Sequence, residues 1–579
     1  MCGISGISSK NLDRRLAEKA IKNINDAQVS RGPDDSGLKT FENGIIFGHR
    51  RLSIIDLSKR GHQPMTYKGI SITYNGEIYN FKELKEELEN LGHKFVTETD
   101  TETILAGYKE WGINVINKLR GMFAFGLWDS KNQKLYLARD RFGIKPLYYY
   151  SDSEKLVFAS SVKSMKKSGL ISIKQEQKAK IGFLLFGSVP EPYTILKGVY
   201  ALPSAHYMEI NTDGSKKLVQ YYNLKEKFLN KKEAKIEDAA QKTRLLLEES
   251  VKLHLVSDAP LGVFLSGGLD SSAIAALTAE NWKNSLITLS VDFEEKEFSE
   301  AIYQRIMAER IKSRHKTTKI TKHDFWENLD DAFSAMDQPT VDGVNTYFIA
   351  KSAKEAGLKT VLSGLGGDEL FLGYPYFKKA DLMWFLHKLP LPFGLIAGIA
   401  SVFKPNYLKL EFLKIKNPLG FYLSLRGLFT PGKIAKILDI KKKEIYKFIK
   451  SLASESNLKI SGMHPVDSLS YLDLTLYMKN QLLRDTDFMS MHHSVEVRVP
   501  FLDHKLVNYI AGLPVNIKFK GNFTKPLLVK AVECIIPKEI YNRSKMGFTF
   551  PFQKWFQEKN KFRGKDWSRT WAKIVLDKF

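Results

Sequence analysis

Leu265-Ser-Gly-Gly-Leu-Asp-Ser-Ser272 is the stretch on which the fold of this 579-residue chain turns. It follows a short apolar run, Gly262-Val-Phe-Leu265, and leads into Ala273-Ile-Ala-Ala-Leu277. That pattern predicts strand, tight turn and helix. Adjacent glycines take backbone angles that other residues avoid, so amide N–H groups can crowd round an anion. The N-terminal end of the following helix and the serine hydroxyls add donors. Asp270 would be repelled by a phosphate unless Mg²⁺ stood between them. The loop lacks the Gly-Lys-Ser/Thr ending of a Walker A motif.

Working outward, 286–293 and 359–362 predict further strands, with helical patterns between them. Ile236, Ala240, Thr243, Leu247 and Val251 recur at helical spacing ahead of the loop. Alternating strands and helices predict a doubly wound parallel sheet that binds ligands at the carboxyl ends of its strands. Two strand ends fit. Ser290-Val-Asp292 places Val291 to touch an adenine ring, and Ser363-Gly-Leu-Gly-Gly-Asp-Glu-Leu-Phe371 offers a second glycine-rich approach. Asp368 there could share Mg²⁺ with Asp270, or simply cap a helix. The opening motif resembles the PP-loop of ATP pyrophosphatases, which cleave ATP to AMP and pyrophosphate while adenylating an acceptor. The ATP-binding set is then Leu265, Ser266, Gly267, Gly268, Asp270, Ser271, Ser272, Val291, Ser363 and Gly364, with Asp270 and Asp368 on the metal.

The chain opens with Met1-Cys2, and removal of Met1 would leave Cys2 with a free α-amino group. That amine titrates near neutrality and can activate its own thiol without a histidine. Arg31-Gly-Pro-Asp-Asp-Ser-Gly37, Gly48-His-Arg-Arg-Leu-Ser-Ile-Ile-Asp56, Gln63-Pro64, Tyr74-Asn-Gly-Glu-Ile-Tyr-Asn80, Thr99-Asp-Thr-Glu102, Gly121-Met-Phe-Ala-Phe125 and Ala138-Arg-Asp-Arg-Phe-Gly-Ile-Lys-Pro-Leu-Tyr148 follow in order. This series resembles the class II glutamine amidotransferase domain, an N-terminal-nucleophile glutaminase, from Cys2 to about residue 200. The resemblance implies Cys2 as nucleophile and Arg51, Asn75, Gly76, Glu77 and Asp100 around the glutamine. Arg51 would fork onto its carboxylate, Glu77 and Asp100 would take its ammonium, and Asn75 with the Gly76 N–H would form an oxyanion hole. Asn75-Gly76 also suits a type I′ hairpin turn. Runs at 70–74, 123–129, 134–139, 146–150 and 155–160 predict stacked antiparallel sheets, with a helix over 81–91.

Both halves together are similar to the glutamine-hydrolysing asparagine synthetases. So is the run Ser490-Met-His-His-Ser-Val-Glu-Val-Arg-Val-Pro-Phe-Leu-Asp503, with Lys525, Leu527-Leu528 and Lys545-Met-Gly-Phe548 after it. The resemblance implies that Lys545 is catalytic, steadying charge during adenylation and amide formation. The expected organisation is an α+β glutaminase sandwich at 1–210, a polar linker at 211–232, and an α/β PP-loop domain with helical C-terminal additions at 233–579. Departures from the family pattern concern the acceptor. Leu365 and Gly367 replace Glu and Ala of the usual Ser-Gly-Glu-Gly-Ala-Asp-Glu, Phe488 stands where many members have Arg, and Ser161 where the family has Glu. Leucine can neither bind an ammonium group nor move a proton, so a sugar carboxylate such as a uronic acid competes with aspartate as acceptor. A PP-loop enzyme acting on tRNA would not need the glutaminase motifs. A non-catalytic member would be expected to lack Cys2 or the Asp270/Asp368 pair.

Composition sets the remaining bounds. The length exceeds one core, and 43% hydrophobic with 26% charged residues is that of a soluble globular protein. Two cysteines, Cys2 and Cys534, exclude a disulfide framework and suit a reducing cytoplasm, and no signal peptide opens the chain. The net charge of +24 favours anionic partners, yet no aromatic–basic interleaving points to nucleic acid. The 15-residue apolar run 389–403 is short for a membrane span and predicts a helical element rather than stable insertion. Small-molecule substrates (glutamine, ATP and a carboxylate) and a homodimer are expected.

Overall fold

The computed structural model describes residues 2–520, 524–543, 546–547, 550–557 and 567–579. Among them the first half forms twelve strands: β1 Gly3–Ser9, β2 Asp35–Thr40, β3 Ile45–Arg51, β4 Met65–Tyr67, β5 Ile70–Ile78, β6 Gly121–Asp129, β7 Lys134–Arg139, β8 Tyr148–Ser151, β9 Lys155–Ala159, β10 Val199–Ala201, β11 His206–Asn211 and β12 Lys216–Gln220. They build two six-stranded antiparallel sheets, ordered β10-β8-β9-β1-β3-β2 and β12-β11-β7-β6-β5-β4.

Side-chain alternation decides the layering. Ile4, Phe47 and Phe158 of the first sheet meet Ala124, Trp128, Leu135 and Leu137 of the second in one buried layer. Their chain neighbours Ile7, Ile46 and Val157 point to the opposite face, where Ala17, Ile21 and Ile24 of the helix Arg14–Asp26 cover them. Phe123, Phe125 and Leu127 turn outward beneath the helices Phe81–Asn90 and Asp100–Trp111. The result is helix, sheet, sheet, helix. Close packing of the two sheets depends on Gly126 of β6, where an added Cβ would lie 2.5 Å from the Phe158 ring of β9.

The second half carries β13 Leu261–Phe264, β14 Ile287–Phe293, β15 Arg314–Ile320, β16 Thr360–Leu362 and β17 Glu496–Arg498. They form one parallel sheet in the order β15-β14-β13-β16-β17. The chain winds outward first from β13 to β15 and then back across to β16. The point of reversal therefore falls between β13 and β16, where an open sheet leaves a crevice. The PP-loop and the Ser363-Gly364 loop both lie at that crevice. The helical additions include a continuous rod of Pro465–Leu472, π-helical Asp473–Leu483 and Arg484–His492.

Expected strands fall on observed ones, with two differences. Asn75 and Gly76 lie inside β5, paired with Ala124 and Phe123, and make no hairpin turn. Residues 211–216, expected to open the linker, instead turn the hairpin that pairs β11 with β12, so the second sheet runs on to Gln220. β15 and β17 carry no apolar signal: the first is a charged edge strand, and the second is three residues long with Glu496 and Arg498 both buried.

The halves are locked by buried ion pairs. Arg120 donates twice to Asp503, at 2.6 and 2.9 Å, and also reaches Glu249. Arg31 pairs with Asp487 at 2.7 Å. Asp337 accepts from Ser161 Oγ (2.7 Å), the Val162 N–H (3.0 Å) and the Lys163 N–H (2.9 Å), capping the helix Val162–Lys166 of the first half from the second. Arg120→Ala leaves Asp503 buried without its guanidinium. The expected cost is about 3–5 kcal/mol, read as a lower urea midpoint for the transition that separates the halves; an unchanged midpoint would contradict the locking role.

Candidate active sites

Cys2 directly precedes β1 and lies beside β5, so two adjacent stacked strands fix it from below. Its N–H donates to Asn75 Oδ1 at 2.9 Å, and its carbonyl accepts from Arg31 Nε at 3.2 Å. Because Asn75 spends its oxygen on Cys2, its amide nitrogen faces the other way. That buried Nδ2 has no hydrogen-bond partner among the described residues. A buried donor without a partner beside a thiol is what an oxyanion site requires. Gly76 permits the close approach: an added Cβ would sit 2.2 Å from the Met122 carbonyl oxygen.

Cys2, Arg51, Gly76, Glu77 and Asp100 line one small pocket together with Gln63 and Tyr74, whereas Asn75 lies behind its lining. Arg51 is held by the carbonyls of Ser58 (2.7 Å), Ile55 (3.3 Å) and Asp56, which leaves its guanidinium rigid. Burial pushes the Cys2 thiol up, while a hydrogen bond from Leu52 and the Arg51 charge pull it back. Burial also raises Asp100 to about 6, although it accepts from Tyr74 Oη (2.7 Å) and the Ile78 N–H (2.9 Å). Glu77 is driven well above the usual carboxylate range by burial and then by Glu496, with Arg498 opposing at 3.6 Å. The pocket therefore gathers desolvated carboxyl groups on one side and the Arg51 cation on the other, a layout that suits a zwitterionic amino acid.

The second site is a cavity of about 600 Å³ at the sheet's point of reversal. Leu265, Ser266, Gly268, Asp270, Ser271, Val291, Ser363, Gly364 and Asp368 all line it. Gly267 and Ser272, expected on the nucleotide, do not line the cavity. Gly267 makes the turn itself, at φ +77°, and Ser272 is buried in the first turn of the helix Leu269–Asn281. Ser266 and Ser271 hydroxyls meet at 2.9 Å and brace the loop. The two glycine-rich loops touch, since a Cβ on Gly364 would lie 2.7 Å from the Ser271 nitrogen. Lys545 lies outside the described residues.

Several cavity residues carried no local signal of their role. Lys525 Nζ sits between the carboxylates of Asp270 and Asp368, 2.6 Å from the latter, and both hold it above the usual lysine range despite burial. Arg543 donates to the Gly267 carbonyl at 3.0 Å and pairs with Glu300. The second loop itself adds Leu365 to the lining, which Tyr374, Tyr477, Gln481 and Asp485 complete. The last three sit four residues apart along the rod, and Arg426 lies 3.7 Å from the Tyr477 ring centre. Phe488 has its own explanation: its ring lies 5.2 Å beneath Arg31, the arginine that also grips Cys2 and Asp487.

A nucleophile pocket for an amino acid and an anion-binding loop, joined by a buried interface, define a glutamine-dependent ligase. The comparisons with known proteins agree. The glutamine amidotransferase domain model matches residues 1–222 and the asparagine synthase model residues 242–569. An asparagine synthetase [glutamine-hydrolyzing] of Bacillus subtilis is 35% identical over 96% of this chain and 88% of its own. A putative asparagine synthetase of Mycobacterium tuberculosis is 32% identical over 93% and 85%. Amidase chry2 of Gibberella zeae is 28% identical over 96% and 90%. The chain belongs to the glutamine-hydrolysing asparagine synthetase family.

With Asp100 near 6, acid removes its charge before that of an ordinary aspartate. The KM for glutamine is expected to rise as pH falls through about 6, with kcat less affected. Asp100→Asn should raise KM about tenfold or more, as for a lost charge-assisted hydrogen bond, and abolish that pH limb. A KM flat from pH 7 to 5 in the parent enzyme would contradict the assignment.

Proposed function

We propose that the protein transfers the amide nitrogen of glutamine to a carboxylate at the expense of ATP, and that the carboxylate belongs to a sugar acid. After loss of Met1, the α-amine of Cys2 takes the thiol proton as sulfur attacks the glutamine amide carbon. Asn75 Nδ2 and the Gly76 N–H receive the charge on oxygen. Ammonia leaves, and water releases glutamate from the thioester. Free ammonia would be protonated in neutral water, so a shielded route between the sites is required. Met122, Phe142 and Ile144 of the glutaminase half belong to the same buried apolar cluster as Leu261, Val497 and Leu502 of the other, which supports that reading.

At the second site the acceptor carboxylate attacks the α-phosphorus, pyrophosphate leaves, and ammonia then displaces AMP from the acyl carbon. The PP-loop N–H groups and Ser266 would bind phosphate oxygens, with Val291 against the base. The donor set suits Mg²⁺: Asp270 and Asp368 converge on one point, now taken by the Lys525 ammonium as a cationic stand-in. Two carboxylates plus substrate phosphates are a usual Mg²⁺ environment. Asp270 and Asp368 would hold the ion, which when bound offsets the negative charge of the phosphates.

One observation carries the acceptor reading: the cavity lining includes Leu365 and the rings of Tyr374 and Tyr477, whose centres lie 6.2 Å apart. An aspartate would need a cation for its α-carboxylate and an anion for its ammonium. Both cations lining the described cavity, Lys525 and Arg543, are already engaged with carboxylates. A pyranose offers an apolar face to tyrosine rings and hydroxyls to Gln481 and Asp485. Burial drives the Asp485 carboxyl well above the usual carboxylate range. Aspartate is the second reading, favoured by the names of the most similar relatives.

Pyrophosphate release with ATP and ammonia is expected to be at least about tenfold faster with hexuronates than with aspartate, the scale of one mismatched polar group. Faster release with aspartate would reverse the reading. Cys2→Ala should abolish glutaminase activity and leave ammonia-dependent pyrophosphate release, whereas Asp270→Ala should abolish pyrophosphate release with either nitrogen source and spare glutaminase activity. Loss of both activities in either variant would argue against two separable sites.

A further inference from the structure

The run 389–403 folds as the helix Phe393–Phe403, apolar all round. A helix of that composition normally has every side covered. Here only Phe393 and Ala397 are buried. Leu395 is 71% exposed, Ile399 69%, Val402 84% and Phe403 81%. The first three follow the spacing of a single helical face, so the exposed residues make one stripe. Leu382 and Phe385 of the preceding helix Ala380–Lys388, and Leu391 between the two, extend the exposed surface.

Charge selects the occupant. Lys378, Lys379, Lys388, Lys404 and Lys416 are exposed and flank the patch in sequence. Lys416 Nζ donates to the Leu389 carbonyl at 2.8 Å and stands 5.5 Å from the Phe393 ring centre; Lys388 lies 5.3 Å from that of Trp384. The exposed acid on these helices, Asp381, faces His464 at 3.8 Å. A second copy docking here would bring two lysine rims together, on chains that each carry a net charge of +24. An anionic bilayer satisfies both parts: acyl chains and headgroup carbonyls for the stripe, phosphates for the rim. No helix among the described residues is long and apolar enough to cross a membrane, so the helix would lie in the interface.

We propose that the Ala380–Lys388 and Phe393–Phe403 helices seat this protein on the surface of an anionic lipid membrane. Tyr374, on the wall of the second cavity, leads through Pro375–Lys379 directly into the first of them. The seat therefore adjoins the acceptor side of the site, and its test does not depend on which acceptor is used.

The full-length chain is to be sedimented with phosphatidylglycerol–phosphatidylcholine vesicles and with phosphatidylcholine alone. Binding is expected to the anionic vesicles, at least about tenfold tighter than to the neutral ones and weakening as salt rises. Leu395→Glu with Val402→Glu should remove the binding and leave glutaminase activity and the circular dichroism spectrum unchanged, because both side chains already face water. Lys388→Glu with Lys404→Glu should weaken it without touching the stripe. Failure to sediment with anionic vesicles, or equal sedimentation of the Leu395/Val402 variant, overturns the proposal. So does a halved mass of that variant in light scattering, which would assign the face to a second copy.

Discussion

Arg498 is the residue on which the two halves depend together. It stands on the last strand of the parallel sheet, wholly buried, with Nε 2.6 Å from Glu496 on the same strand. It donates to the carbonyls of His254 and Val256, both at 2.7 Å, which fix the chain leading into β13 and the PP-loop. Its remaining nitrogen faces Glu77 of the glutamine pocket at 3.6 Å. A guanidinium taken out of water demands such partners, since its desolvation is offset only by close anions and acceptors. The constraint therefore runs both ways: the sheet edge that organises the nucleotide loop also sets the charge of the glutaminase pocket.

That charge is deliberately unbalanced. Glu77 and Asp100 are buried carboxyl groups that burial raises, while Glu496 already pairs with Arg498 at 2.6 Å. An incoming ammonium group supplies the missing cation, so substrate binding relieves an electrostatic cost that the folded protein carries alone. At the second site the balance is already struck by Lys525 between Asp270 and Asp368.

Much of this was legible in the chain. The PP-loop, both strand ends at the crevice and the residues around Cys2 are local motifs, and a motif travels with its own backbone geometry. The strands of the sandwich were visible because their alternation is strict. What stayed hidden is what long-range packing decides. Nothing near Asn75-Gly76 distinguishes a hairpin turn from the middle of β5; the partner strand β6 does. Gly267 and Ser272 look like ligand contacts until the loop closes and turns them away from the cavity. β17 is too short and too charged to announce a strand, and its parallel pairing with β16 makes it one. Phe488 reads as a lost arginine in the sequence, whereas in the fold it is the floor under Arg31. Ser161 likewise gains meaning from Asp337, since a glutamate in its place would set two carboxylates against each other across the interface.

The account's central claim is that nitrogen released at Cys2 reaches a carboxylate activated at the PP-loop without mixing with solvent. The direct measurement is mass spectrometry of the products formed from ATP, amide-¹⁵N glutamine, excess unlabelled ammonium, and an equal mixture of aspartate and hexuronates. The account predicts a uronamide whose nitrogen is predominantly ¹⁵N. An amide carrying the isotopic composition of the bulk ammonium, or no amide on any carboxylate, would contradict it.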